Sequence, residues 1–247
     1  MKLKKPAIIF SALFLFFSCG IQEYYYLPQV PESYITSSLT DSATIRIPPI
    51  SQYYYATNYS IFYRIYISGE NLTSVQTTST NMNSINPDLA GDFNWFLRYT
   101  DTSSTSSTSV TTLNTFKSRN YYEIELDGKA APDVFSINGG TLSIRFPTLP
   151  GNYPAVSLNN GDEIRLRRSG ELISPLPQND LFFRNTAELN SNANATANNN
   201  ADVAGRTGIT QRFAYVSMYI VARGKDGFSS IYGKPTHINI FKLPDIN

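Results

Sequence analysis

The sequence predicts an all-β fold, built as a sandwich or barrel, and three observations predict it. Short runs rich in Ile, Val, Tyr and Phe alternate apolar with polar residues, as strands with one buried face do. Turn pairs that accept positive φ lie between the runs: Asp127-Gly128, Asn138-Gly139-Gly140, Asn160-Gly161-Asp162 and Asp226-Gly227. Charged residues are only 16% of the chain, and no stretch after residue 20 carries a convincing 3.6-residue apolar period. Long solvated helices and coiled coils are therefore not expected, whereas many short strands with regular turns are the mark of sandwiches and barrels.

The strands follow in order. Ala43, Ile45 and Ile47 alternate with Thr44 and Arg46; Ile61, Tyr63, Ile65 and Ile67 alternate with Phe62, Arg64 and Tyr66. Tyr122, Ile124 and Leu126 form one face, with Glu123 and Glu125 on the other. Leu142, Ile144 and Phe146 oppose Ser143 and Arg145, and Ile164 and Leu166 sit between Glu163, Arg165 and Arg167. Val216, Met218, Ile220 and Ala222 end a long strand, and Ile238 and Ile240 mark the last one. Residues 100–115 are nearly all Ser and Thr, and 186–202 are rich in Asn and Ala. Neither segment holds enough apolar surface to offset chain entropy, so both are expected to be long exposed loops, acting as spacers or as a variable surface.

The N-terminus reads as an address. Residues 1–5, MKLKK, are basic, residues 6–17, PAIIFSALFLFF, are apolar, and Ser18, Cys19 and Gly20 follow. This is the layout of a secretory signal, and the apolar run is shorter than the roughly 20 residues a membrane-spanning helix needs. The lone Cys directly after it makes the stretch resemble a bacterial lipoprotein signal of the looser, spirochaete-like kind, with Ser18 as the small residue before the cut. That resemblance implies a signal peptide over 1–18, a diacylglycerol thioether on Cys19 and an added N-acyl chain. Two or more acyl chains hold a protein stably at a membrane, each buried CH₂ contributing about 0.8 kcal/mol. Loss of Lys2, Lys4 and Lys5 with the signal turns the formal net charge of +1 negative. Residues 19–33 then form the lipidated N-terminus and a Pro-containing, semi-rigid tether.

Two parts of the remaining chain resemble fibronectin type III domains. Val216-x-Met218-x-Ile220-x-Ala222-x-Gly224-x-x-Gly227-x-Ser229 is similar to that family's last two strands, Tyr63-Arg64-Ile65 to its third, and Ala43-x-Ile45-x-Ile47-Pro48-Pro49 to its second. The matching pieces, 31–67 and 213–243, lie much further apart than a sandwich of roughly 100 residues allows. The resemblance therefore implies an immunoglobulin or fibronectin type III-like sandwich over 34–243 with a large β-rich insertion, 70–210, and long polar loops.

Several chemistries are excluded. One Cys permits neither an intramolecular disulfide nor a Cys-rich zinc site, and one His permits no multi-histidine metal cage. A net charge of +1 gives no reason to expect a nucleic-acid partner. His237 shares a face with Asn239 under strict alternation and reads as a strand-surface residue, with no nucleophile motif to serve. Glu123 with Glu125, and Asp162 with Glu163, are solvated strand and turn charges unless a cleft pairs them as a glycosidase would. Asn86, Asp88, Asp92 and Asn94 carry oxygen ligands but lack the EF-hand spacing and read as a polar turn. Asn138-Gly139-Gly140 is a hairpin turn rather than a phosphate cradle, and Trp95 reads as core. No cofactor is expected.

Tyr24, Tyr25 and Tyr26 in the tether and Tyr53, Tyr54 and Tyr55 cannot all face one core. Tyr offers large contact area at small entropic cost, so Tyr24, Tyr26, Tyr53, Tyr54 and Tyr55 are candidates for a binding face toward protein or glycan, against packing on the sandwich. The expectation is a lipid-anchored cell-envelope protein, on the inner or outer membrane and facing the periplasm or exterior, that acts as a non-catalytic binding or structural module. The alternatives are a carbohydrate-binding module using those tyrosines, and a carboxylate-dependent hydrolase.

Overall fold

The computed structural model describes residues 27–38, 41–53, 55–72, 79–101, 109–128, 139–146, 154–158, 161–169, 183, 201–206, 208–227 and 229–243. Its spine is a pair of long strands, β3 (Ala56–Ser68) and β10 (Phe213–Asp226), aligned antiparallel from Phe213 opposite Ser68 to Gly224 opposite Ala56. Beside β10 run β11 (Ser229–Tyr232) and β12 (Thr236–Lys242). Beside β3 run the two-residue β4 (Tyr122–Glu123) and the parallel β9 (Val203–Ala204). The other sheet is antiparallel, in the order β1 (Ile35–Ser38), β2 (Ser42–Ile47), β6 (Gly140–Arg145), β7 (Ala155–Leu158), β8 (Glu163–Arg167), β5 (Glu125–Leu126).

The two sheets pack face to face. Ala43, Ile45 and Ile47 of β2, Leu142 and Ile144 of β6, Val156 of β7 and Ile164 and Leu166 of β8 meet Ile61, Tyr63, Ile65 and Ile67 of β3 and Val216, Met218, Ile220 and Ala222 of β10. The alternation in the sequence thus sets the inner faces. The protein is mostly β-sheet, with two largely antiparallel sheets and few helices.

The spine strands are apolar on their outer faces too. Phe62 and Tyr66 of β3 and Tyr215, Tyr219 and Val221 of β10 point away from the sandwich core and are buried. A strand apolar on both faces needs cover on both, and helices α1 (Ser79–Ile85), α2 (Pro87–Asp101) and α3 (Ser109–Ser118) supply it. Met82, Ile85, Leu89, Phe96 and Phe116 from these helices complete a second core. Phe116 lies flat against Phe62 with ring centroids 4.2 Å apart, and burying one such side chain is worth about 1.5–3 kcal/mol.

These helices correct three expectations. Residues 86–94 are a helix start rather than a polar turn: the Asn86 side chain accepts the Asp88 N–H at 2.9 Å and Pro87 takes the first helical position. Leu89, Phe93 and Phe96 then recur at helical spacing, a period that the polar residues between them obscure. The Ser/Thr-rich stretch carries α3 over its second half, because Phe116 gains a buried site that outweighs the weak helix propensity of Thr. Residues 70–210 are consequently not β-rich throughout; they carry all the described α-helices, and their strands add to both sheets. Residues 186–200 lie outside the described residues.

The tether region packs as well. Leu27 and Val30 are buried in the core between the sheets. Gln29 Nε2 donates to the Pro235 carbonyl at 3.1 Å, and Thr236 Oγ1 donates to that of Val30 at 2.6 Å.

Candidate functional site

The helix-covered face of the spine carries a chain of buried polar groups. Its centre is Asp92 of α2. Arg64 Nη1 of β3 meets one carboxylate oxygen at 2.7 Å and Arg119 Nη1 the other at 2.5 Å. The Tyr66 hydroxyl donates to Asp92 at 2.7 Å and lies 2.9 Å from the Tyr121 hydroxyl. Longer contacts continue it: Tyr121 to Ser217 Oγ at 3.5 Å, and Ser217 Oγ to His237 Nε2 at 3.4 Å. Burial is the main cause that pushes the Tyr66, Tyr121 and Tyr219 hydroxyls well up from their ordinary value, so none ionises near neutrality. The Tyr219 hydroxyl, between Tyr121 and Ser217, makes no hydrogen bond among the described residues.

His237 stands at the end of this chain because of a bulge. Met218 pairs with Asn239 and Tyr219 with His237, so Ile238 is the extra residue in β12. Ile238 and Asn239 both face the sandwich, while His237 and Ile240 face the helices. Strict alternation, which groups His237 with Asn239, fails at this point. The imidazole is covered rather than on an open surface: Phe93 meets it edge-on at 5.4 Å and Tyr219 at 4.9 Å. Burial lowers its pKa to about 4, so it is uncharged at neutral pH.

Beside His237 opens a cleft of about 390 Å³, within the size range of small-molecule sites. Phe93 of α2 lines it, with Phe96 and Tyr219, each only 2% exposed, behind; Ile35 and Ser37 of β1, Pro235 and the start of β12 supply the rest, and Glu32 supplies a carboxylate. No Lys or Arg lines it among the described residues. A second cleft, of about 440 Å³, is lined by Arg64, Asp88, Asp92 and Arg119, where the two guanidinium groups already face the two carboxylates.

The tyrosines and glutamates singled out from the sequence are elsewhere. Tyr53 and Tyr55 are half-buried and pack against the core between the sheets. Ser18, Cys19, Tyr24, Tyr26 and Tyr54 lie outside the described residues. Glu123 and Glu125 do not share a strand face, because the chain changes sheets at Ile124: Glu123 pairs opposite Phe62, and Glu125 opposite Arg167. Glu123 accepts hydrogen bonds from Ser60 at 2.6 Å and Arg223 at 3.2 Å. Trp95 is half-buried on α2 rather than central to the core, with the Arg119 guanidinium 5.0 Å over its ring. Among the described residues no group of His, Cys, Asp and Glu is placed to hold a metal ion, and no helix is long and apolar enough to cross a membrane.

The cleft is not legible in the sequence because its parts come from five separate elements, and because polar residues between Leu89, Phe93 and Phe96 mask their shared helix face. No family model, curated protein or solved structure matches the chain.

Proposed function

We propose that this protein is a lipid-anchored cell-envelope lipoprotein whose sandwich is a non-catalytic binding module, with the cleft beside His237 as its ligand site. The observation that carries the reading is the lone Cys19 directly after a basic and apolar signal-like segment. The packing of Leu27 and Val30 is consistent with it. Eight residue steps separate Cys19 from Leu27, so the docked segment can stand no further than roughly 28 Å from the lipid attachment point. Pro235 and Thr236, which hold that segment, also line the cleft, which on this reading brings the ligand site near the lipid.

The fold reading within this proposal is a sandwich like that of fibronectin type III domains. Its support is that β3 lies beside β10 and β10 beside the terminal strands, as the third, sixth and seventh strands do in immunoglobulin-type sandwiches. The non-catalytic reading follows from the acidic groups: Asp92 is held by two arginines and a tyrosine, and Glu123 by Ser60 and Arg223. Asp88, the second acid at the Asp92 cleft, lies 3.9 Å from Arg64, so the two carboxylates there share a guanidinium rather than standing free across a gap as glycoside hydrolysis requires.

Fractionation tests the anchor. Wild type is expected in the membrane fraction and to incorporate labelled fatty acid; Cys19→Ser is expected to lose both. Retention of label by the variant removes the lipoprotein reading.

A further inference from the structure

We infer that the buried chain from Asp92 holds His237 as its Nε2–H tautomer, which leaves Nδ1 as a hydrogen-bond acceptor for the cleft and selects a ligand carrying an ammonium N–H. The inference rests on the reading of this cleft as a ligand site. Proton counting assigns the tautomer. The Asp92 carboxylate only accepts, so the single Tyr66 hydroxyl proton goes to it at 2.7 Å. Tyr66 then offers only lone pairs to Tyr121, 2.9 Å away, so the Tyr121 proton is committed to Tyr66. By the same count the Ser217 proton points to Tyr121, and the Ser217 oxygen takes its donor from His237 Nε2. Tyr66, Tyr121 and Ser217 make no other side-chain hydrogen bond among the described residues, and the Tyr219 hydroxyl makes none.

Turning the Ser217 hydroxyl toward Nε2 instead leaves the Tyr121–Ser217 contact unmade, one bond fewer in a dry core. The bond at one ring nitrogen of a neutral imidazole fixes the role of the other. A tenfold tautomer ratio needs only about 1.4 kcal/mol, within reach of the long contacts at 3.5 and 3.4 Å. Nδ1 is then the nitrogen left for a ligand: it makes no hydrogen bond among the described residues, and His237 lines the cleft. Glu32 lines it too and adds a second acceptor with a negative charge, with no Lys or Arg beside it among the described residues. Thr236 Oγ1 is already committed to the Val30 carbonyl at 2.6 Å. An anion meets repulsion and a lone pair here. A quaternary ammonium brings charge without a donor, and a sugar brings donors without charge. A protonated amine supplies both.

Nitrogen NMR of the full chain, in a detergent without amine groups, tests this directly, because His237 is the only histidine. At pH 7 wild type is expected to carry the proton on Nε2 in a ratio of roughly ten to one or more. Tyr121→Phe and Tyr66→Phe each keep the ring and free the hydroxyls behind it to turn, so each is expected to bring the ratio toward even. A purely structural role for Tyr66, two links from the imidazole, would not move that ratio. A wild type that is mixed or protonated on Nδ1, or a ratio that both variants leave unchanged, overturns the inference. Titration follows with ethanolamine, choline and methyl glucoside. Ethanolamine is expected to shift the Nδ1 resonance and to bind roughly tenfold tighter than choline, which has the charge and no N–H. Glu32→Gln, at an exposed position, is expected to weaken ethanolamine roughly threefold and to leave the tautomer as it is. Choline binding as tightly as ethanolamine, or methyl glucoside shifting Nδ1 in its place, overturns the ligand class. No binding of any probe at millimolar concentration removes the ligand-site reading and that class with it. The tautomer is read without any ligand, so the two failures are distinguishable.

Discussion

Arg168 and Asp202 form a bidentate ion pair inside the molecule, with Nε to Oδ2 at 2.8 Å and Nη2 to Oδ1 at 2.6 Å, and both side chains at most 1% exposed. Arg168 follows β8 of one sheet and Asp202 precedes β9 of the other. The Tyr63 hydroxyl donates to Asp202 at 2.8 Å and accepts the Ser169 N–H at 2.8 Å, and the Ile65 N–H donates to the Asp202 carbonyl at 2.9 Å. The pair therefore ties one sheet to the centre of the other. A buried pair of this kind contributes less to net stability than its removal suggests, because each partner pays desolvation. Removing one partner leaves the other charged and dry. Arg168→Met and Asp202→Ala are each expected to lose about 3–5 kcal/mol in urea denaturation, and the double variant to lose less than the sum. Additive losses would mean that the two side chains act separately.

Asp92 organises the second core in the same manner, with three donors on one carboxylate. Asp92→Ala should cost about 3 kcal/mol or more, since it strands two guanidinium groups and a phenol. Tyr66→Phe should cost about 1–2 kcal/mol. In the Asp92→Ala background, Tyr66→Phe should cost markedly less, which a double-mutant cycle read by thermal melting checks.

His237 makes stability pH-dependent. The unfolded chain takes up a proton on this imidazole near pH 6.5, while the folded chain resists it down to about pH 4. Unfolding is therefore coupled to proton uptake between those values, and stability falls as pH is lowered through the window and is level above it. The loss for wild type should be on the order of 2–3 kcal/mol by pH 4. Ser217 and Tyr219 on β10, Phe93 on α2 and Glu32 at the cleft are the groups around it. The midpoint difference between pH 7 and pH 4.5 should shrink in His237→Gln; an undiminished difference would place the pH dependence elsewhere.

Two glycines should respond with opposite sign. A Cβ on Gly224 would run into the Tyr55 carbonyl oxygen, at the register shift where β10 leaves β3. Gly91 sits in α2 with open space around it. Gly224→Ala is expected to destabilise by about 1–3 kcal/mol, and Gly91→Ala to stabilise by about 0.5–1 kcal/mol through helix propensity. Thermal melting of the two variants side by side reads both.

Much of the sandwich was legible because Ile45, Ile65, Val216 and Ile144 keep a strict period of two, and burial of one sheet face enforces that period. What stayed hidden has physical reasons. Tyr66, Tyr215 and Tyr219 occupy the positions that alternation reserves for solvent, and Tyr serves equally well on a wet surface and in a second core. That these positions needed cover was the available signal for the helices. The bulge at Ile238 has no residue signature of its own, and it alone decides which face His237 takes. Arg168 and Asp202 could not be paired from sequence, since nothing local joins an arginine after one turn-bounded strand to an aspartate after an Asn-rich run. The lipoprotein resemblance lies wholly in residues 1–19, outside the described part of the fold.

The alignment of β3 with β10 also constrains the order in which the molecule can assemble. β3 is made well before β10, its main partner, so its longest hydrogen-bonded edge stays open until Phe213–Asp226 has been synthesised. Closing so long a loop is slow relative to pairing of neighbouring strands. The two sheets are unable to lock together before β10 is free to pair, and a truncation that removes β10 should leave a polypeptide with no stable fold.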